Sequence, residues 1–124
     1  MKREKEPITI ENIRGAHAIR RDEIQTRLAE FAAVGTHGTD SQLWEEMVFC
    51  FFTGGCSARM GLNSLEAVKP ILMTGDQRQL AKTLSGVHRY PNARSRYIVA
   101  SREFLREHCD LKLREVLHRF DCRL

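Results

Sequence analysis

Residues 88–105 read HRYPNARSRYIVASREFL, and they set the fold class. Pro91 fixes its own φ and pushes Tyr90 out of the helical region, so a helix starts at about Pro91 or Asn92. Tyr97, Ile98, Ala100, Phe104 and Leu105 then recur at three- and four-residue steps, which predicts one buried helical face. Arg94 and Arg96 fall in the first turns and Arg89 lies just before them. The start of a helix is already electropositive, so cations there are out of place unless a phosphate is the intended neighbour. The plainer reading is that they are solvated surface arginines.

Upstream, Trp44 to Thr53 (WEEMVFCFFT) is the strongest apolar run of the chain. Thr39-Asp40-Ser41 before it is N-cap chemistry, and Gly54-Gly55 after it is C-cap chemistry. This predicts a core helix over about 41–53, hydrophobic nearly all round and much too short to span a membrane. A second helix is expected from Ser57 to about 67, ending near Pro70. Asp76 is placed to cap a helix carrying Leu80, Ala81 and Leu84 that Gly86 stops. The arginine-rich helix is expected over about 91–108, and Asp110 is expected to cap a last one carrying Leu111, Leu113, Val116, Leu117 and Phe120. Residues 1–7 read as a charged, frayed arm. Ile8, Ile10 and Ile13 before Gly15 suggest a short element, and Ile24, Leu28, Phe31 and Ala32 a helix that Gly35 ends. With no strand alternation and no repeat, the expectation is an all-α chain of about six helices in a single domain, residues 1–124.

The chain has 124 residues, with 20 Lys+Arg against 16 Asp+Glu, a net charge of +4 and a mean hydropathy of −0.40. That balance is mildly basic, compatible with phosphate binding but far from a polybasic tail. The charged start Met1 to Glu6 is not a signal peptide, so a cytoplasmic, nucleoid-associated chain with reduced cysteines is expected. Cys50 reads as a small core hydrophobe. Cys56, beside Ser57 at a helix start, reads as non-catalytic. Cys109, His118 and Cys122, with His108 nearby, lack metal-ligand spacing. Thr53 to Ser57 is glycine-rich but has neither phosphate-loop ending. No metal or cofactor is expected, and Trp44, Met60 and Met73 read as core or boundary packing.

Taken in order, WEEMVFCFFTGGCSARMGL and HRYPNARSRYIVASREFL resemble the helix–hairpin–helix 8-oxoguanine DNA glycosylase/AP lyase family, in its compact archaeal and bacterial branch. There an E-E-[LM]-x-F-C-x-L-T run leads into a loop ending S-A, and an R-[FY]-x-N-x-R-[AS]-x-Y-I-V-x-[AS]-R segment follows. The likeness covers roughly residues 40–120. It implies a base-excision enzyme whose lysine, in a later G-x-G-x-K hairpin, attacks the sugar C1′, aided by a later aspartate. Lys69, Lys82 and Lys112 follow no G-x-G turn, and the sequence reaches Leu124 before any such hairpin. The expectation is the N-terminal portion of such an enzyme, inactive alone.

The resemblance also implies that the loop from Thr53 to Ser57 approaches DNA at the lesion. Gly54, Gly55, Ser57, Arg89, Arg94 and Arg96 become the candidate contacts to damaged double-stranded DNA. The family carries an asparagine or similar polar residue near Gly55 or Cys56; two small residues admit a phosphate but cannot wedge into a base stack. A second polypeptide carrying the helix–hairpin–helix is one expected partner. The alternative is a non-catalytic basic helical module that binds DNA or protein. A severed half-enzyme would expose an apolar patch, with Leu113, Val116, Leu117 and Phe120 as candidates.

Overall fold

The computed structural model describes residues 4–120, all-α with six helices among them. It divides into two units, one ending at His37 and the other beginning at Gly38, where the sequence suggested one domain.

The first unit is built on α1, Ile10–His37, with none of its residues buried. It runs straight through Gly15 and Gly35, where the sequence suggested a short element and a stop. Each glycine costs about 1 kcal/mol in a helix, and the Ala-, Arg- and Glu-rich flanks outweigh that. Neither glycine takes the positive φ of a helix-ending turn.

The second unit holds α2 (Asp40–Thr53), α3 (Ala58–Val68), a 3-10 turn (Lys69–Ile71), α4 (Gln77–Leu84), α5 (Pro91–Cys109) and α6 (Leu113–His118). Thr39 caps α2 and Asp76 caps α4, each in a reciprocal capping box with a glutamine three residues on. The core gathers Trp44, Val48 and Phe52 of α2 with Val68, Leu72, Leu80, Leu84, Ile98 and Leu113. Trp44, Val48 and Phe52 step by four, so α2 buries a stripe and not its whole circumference. Cys50 lies two residues from both Val48 and Phe52, about 200° round the helix from each. It is exposed, not a core residue. Trp44 is buried as expected, whereas Met73 is exposed.

On α5 the buried line is Ser95, Ile98 and Arg102, with Val99 and Leu105 packed against the core. Tyr97, Ala100 and Phe104, expected inside, face solvent. The periodicity was legible but its phase was set by an arginine. Arg102 is only 5 % exposed and donates from Nη1 to the Leu72 carbonyl at 3.1 Å, closing the 3-10 turn.

Asp110 does not cap α6. It sits at the end of α5 with φ 52, followed by Leu111 at φ 58, and its N–H bonds to the Arg106 carbonyl at 3.1 Å. Asp tolerates this left-handed turn better than most residues. The capping role passes to Asp40, whose Oδ1 accepts from the Arg114 N–H at 2.8 Å. Of the apolar residues expected to form an exposed patch, Leu113 is buried and Val116 half-buried, while Leu117 and Phe120 are exposed. Cys122 lies outside the described residues.

Candidate nucleic-acid interface

The site grows from the C-terminus of α2, where the last carbonyls of a helix have no intrahelical partner. Thr53 Oγ1 turns back to the Cys50 carbonyl at 3.2 Å. The Phe52 carbonyl accepts from His88 Nε2 at 2.9 Å, and the Gly54 carbonyl accepts from Arg94 Nη2 at 2.7 Å. Both donors come from the segment that begins α5, so the exposed end of α2 is finished by residues 36 and 40 positions later.

Between them the chain turns sharply. Gly54 has φ −64 and ψ 105, Gly55 has φ +75, and the Cys56 N–H closes on the Thr53 carbonyl at 3.3 Å. This is a type II turn, whose third position needs the positive φ that glycine gives freely. Ser57 then caps α3, its hydroxyl accepting from the Met60 N–H at 3.1 Å. A second close approach holds α3 to α2: a Cβ on Gly61 would lie 2.7 Å from Thr53 Cγ2 and 3.0 Å from Phe49 Cε2.

His88 is 4 % exposed. Its Nδ1 accepts from the Tyr90 N–H at 3.0 Å, so the ring hydrogen is on Nε2 and points at Phe52. One imidazole thus fixes both the end of α2 and the entry to α5.

The three arginines stack with two tyrosines. Arg89 lies 5.4 Å from the centre of Tyr90, Arg94 lies 5.3 Å from both Tyr90 and Tyr97, and Arg96 lies 5.6 Å from Tyr97. The order is Arg89, Tyr90, Arg94, Tyr97, Arg96, with Phe51 of α2 edge-on to Tyr97 at 6.4 Å. Arg94 is half-buried, and its Nε is covered without a hydrogen-bond partner. Cation–π attraction to two rings offsets part of that loss. Arg89 and Arg96 are exposed, and none of the three arginines makes an ion pair among the described residues.

The structure therefore brings Gly54 and Arg94 into contact, places Gly55 and Ser57 in the adjoining turn and α3 start, and links Arg89 and Arg96 to Arg94 through tyrosines. His88, Tyr90 and Tyr97 were missed as site residues. The Arg94–Tyr97 spacing of three was the available signal, because such residues share one helix face; Tyr90 stands at the N-cap, just before that helix. Lys69 is held as a cation by a hydrogen bond from Nζ to Glu66 at 3.1 Å and by the nearby carboxylate of Glu45. Both raise its pKa, the reverse of what an amine nucleophile needs. Lys82 and Lys112 are exposed.

Residues 24–123 match the Ogg-HhH family, described as 8-oxoguanine DNA glycosylase. The chain belongs to the 8-oxoguanine DNA glycosylase family. An 8-oxoguanine DNA glycosylase/AP lyase of Korarchaeum cryptofilum is 35% identical over 86 residues, 68% of this chain and 40% of that protein. The enzyme of the same name from Thermotoga maritima is 32% identical over 83 residues, 66% of this chain and 40% of that one. The crystal structure of the Thermotoga maritima 8-oxoguanine DNA glycosylase superposes with TM-score 0.72 at 27% identity, covering 81% of this chain and 48% of that one. The Methanocaldococcus jannaschii 8-oxoguanine glycosylase/lyase, solved with a 15mer DNA containing 8-oxoguanine, shares the fold at TM-score 0.71 and 22% identity. It is covered over 46% of its length. This glycosylase-family chain thus spans less than half the length of these relatives.

No helix among the described residues is long and apolar enough to cross a membrane. No group of three or more His, Cys, Asp or Glu among them could hold a metal ion.

Proposed function

We propose that this chain is the N-terminal, DNA-gripping portion of an 8-oxoguanine DNA glycosylase/AP lyase, with the nucleophilic lysine and its aspartate supplied by a helix–hairpin–helix segment outside these residues. The observation that carries the reading is the Arg94–Gly54 bond of 2.7 Å, which joins the type II turn to the arginine cluster in one surface. Arg89 and Arg96 meet backbone phosphates; Arg94 holds the turn; Gly54 and Gly55 let a phosphate approach the main chain; Ser57 fixes the start of α3. Such contacts give affinity without sequence information. The partners are damaged double-stranded DNA and a second polypeptide carrying the hairpin.

Two measurements test this. Binding of the 124-residue chain to a duplex with one 8-oxoguanine, read by fluorescence anisotropy from about 50 to 200 mM salt, should weaken steeply. Arg89→Ala and Arg96→Ala should each reduce the log–log salt slope by about one. Borohydride trapping on the same duplex should give no adduct with the chain alone and an adduct once a hairpin polypeptide is added. An adduct from the chain alone would place the nucleophile within these residues and refute the division of labour.

A second reading, a protein-docking helical module, draws on the exposed Ile13, Leu28 and Phe31 of α1 and Leu117 and Phe120 near α6. Under it, trapping stays negative whatever hairpin polypeptide is added.

A further inference from the structure

We propose that the chain pairs with a second copy of itself, the arginine-edged face of α1 from each copy lying in the groove between α2 and α5 of the other. This contact uses neither the type II turn nor the segment from Arg89 to Arg94, so it stands or falls apart from the DNA-binding reading.

At about 100° per residue, Ile10, Ile13, Ile24, Leu28 and Phe31 fall within about 60° of one another round α1. All five are exposed. Arg14 and Arg21 edge this stripe on one side and Arg20 and Arg27 on the other, while Glu11, Asp22, Glu23 and Glu30 fall on the opposite half of the helix. Arg14, Arg20 and Arg21 make no ion pair among the described residues. A helix of 28 residues with nothing buried lacks the tertiary packing from which helices in proteins draw most of their stability. The stripe therefore calls for a cover.

Met47 of α2 and Ala100, Ser101, Phe104 and Leu105 of α5 line a groove of about 300 Å³. Met47 is 36% exposed and Phe104 57%, and the small side chains of Ala100 and Ser101 leave room for a helix to come close. Glu46, next to Met47, and Glu107, one turn beyond Phe104, are exposed and make no ion pair among the described residues. An apolar centre thus meets an apolar centre, and free arginines meet free carboxylates. Such charge complementarity selects the partner and fixes its register.

A second copy supplies the matching helix. Only Gly38 and Thr39 separate α1 from α2, and both are held: the Gly38 carbonyl accepts from Arg114 Nη1 at 2.8 Å, and Thr39 caps α2. A connection this short invites exchange of a helix between copies. Exchange in both directions closes a twofold dimer in which both apolar faces are covered.

Sedimentation velocity of the chain from about 1 to 200 μM tests this. The 14.3 kDa monomer should give way to a species of twice that mass. Leu28→Asp on α1 and Ala100→Arg in the groove change exposed positions, and each should raise the dissociation constant at least about tenfold. An equimolar mixture of the two variants should recover association, because one α1 and one groove, from opposite copies, remain intact. Should Leu28→Asp melt α1 by circular dichroism, Glu46→Arg with Glu107→Arg should give the same loss, and adding Arg20→Glu with Arg21→Glu should restore the dimer. A chain that stays monomeric throughout overturns the proposal and leaves the DNA-binding reading intact, whether α1 folds against its own chain or waits for another protein. A dimer indifferent to both substitutions, or one that the mixture fails to restore, overturns it as well.

Discussion

Replacing His88 by Phe should cost far more than a surface change, although it keeps a flat ring in the same place. The imidazole is 4 % exposed and makes two bonds to main chain: Nε2 to the Phe52 carbonyl at 2.9 Å and Nδ1 from the Tyr90 N–H at 3.0 Å. The substituted ring can serve neither. A buried polar group left unpaired costs about 1–3 kcal/mol, so two orphaned groups put the loss at about 2–6 kcal/mol. Against a total stability of about 5–15 kcal/mol that is a large share. For a unit of this size each kcal/mol corresponds to about 4–8 °C in Tm, so a fall of at least about 8 °C is expected. Urea titration followed by far-ultraviolet circular dichroism should show a lower midpoint at unchanged slope, the mark of lost stability without an altered unfolded state. A loss below about 0.5 kcal/mol, the range of inert surface changes, would refute the claim that His88 finishes α2.

Gly61→Ala should destabilise by about 1–3 kcal/mol through overpacking, since its Cβ would press 2.7 Å from Thr53 Cγ2. Adding Thr53→Ser removes that methyl and keeps the hydroxyl, and should recover part of the loss in the same denaturation assay. Arg94→Ala should lower Tm as well as DNA affinity, whereas Arg89→Ala should lower affinity alone; the contrast between thermal melts and anisotropy separates the positioning arginine from the exposed one. Lys69 has its pKa raised, first by the hydrogen bond it donates to Glu66 and then by the charge of Glu45. Its stabilising contribution is therefore fully present below its unfolded value of 10.5 and lost as pH rises through the folded one. Glu66→Gln should lower the Lys69 pKa in a side-chain nitrogen NMR titration.

Those elements whose signals are local were legible from the sequence. The caps at Thr39 and Asp76, the stop at Gly54-Gly55, Pro91 at the head of α5 and the order of α2 to α5 all depend on neighbours within four residues. Errors arose where a distant partner decides. Asp110 has good capping chemistry, but Asp40, brought alongside from another helix, takes the α6 backbone. Cys50 was drawn inward by the apolar letters around it, while the four-residue step of Trp44, Val48 and Phe52 turned it outward. The site residues fared similarly: the arginines were found by charge, but His88 was overlooked because its two partners lie on different segments.

The arginines of α5 also answer the question of why cations crowd the start of a helix. Arg94 donates to the Gly54 carbonyl, Arg102 to the Leu72 carbonyl, and Arg106 to the Met73 carbonyl at 3.4 Å. Each of these carbonyls follows a helical segment, where the backbone dipole leaves negative partial charge. The unfavourable field at the head of α5 is therefore opposed, for Arg94, by the favourable one at the tail of α2. A phosphate is not required to explain Arg94, whose bond to the Gly54 carbonyl holds its geometry without DNA. Arg89 and Arg96 have no such carbonyl among the described hydrogen bonds and no carboxylate. They are the arginines whose charge remains available for a ligand. If the face were only a structural clasp, removing these two would leave both stability and DNA affinity untouched; if it is an interface, affinity and its salt slope fall while the melting curve does not move.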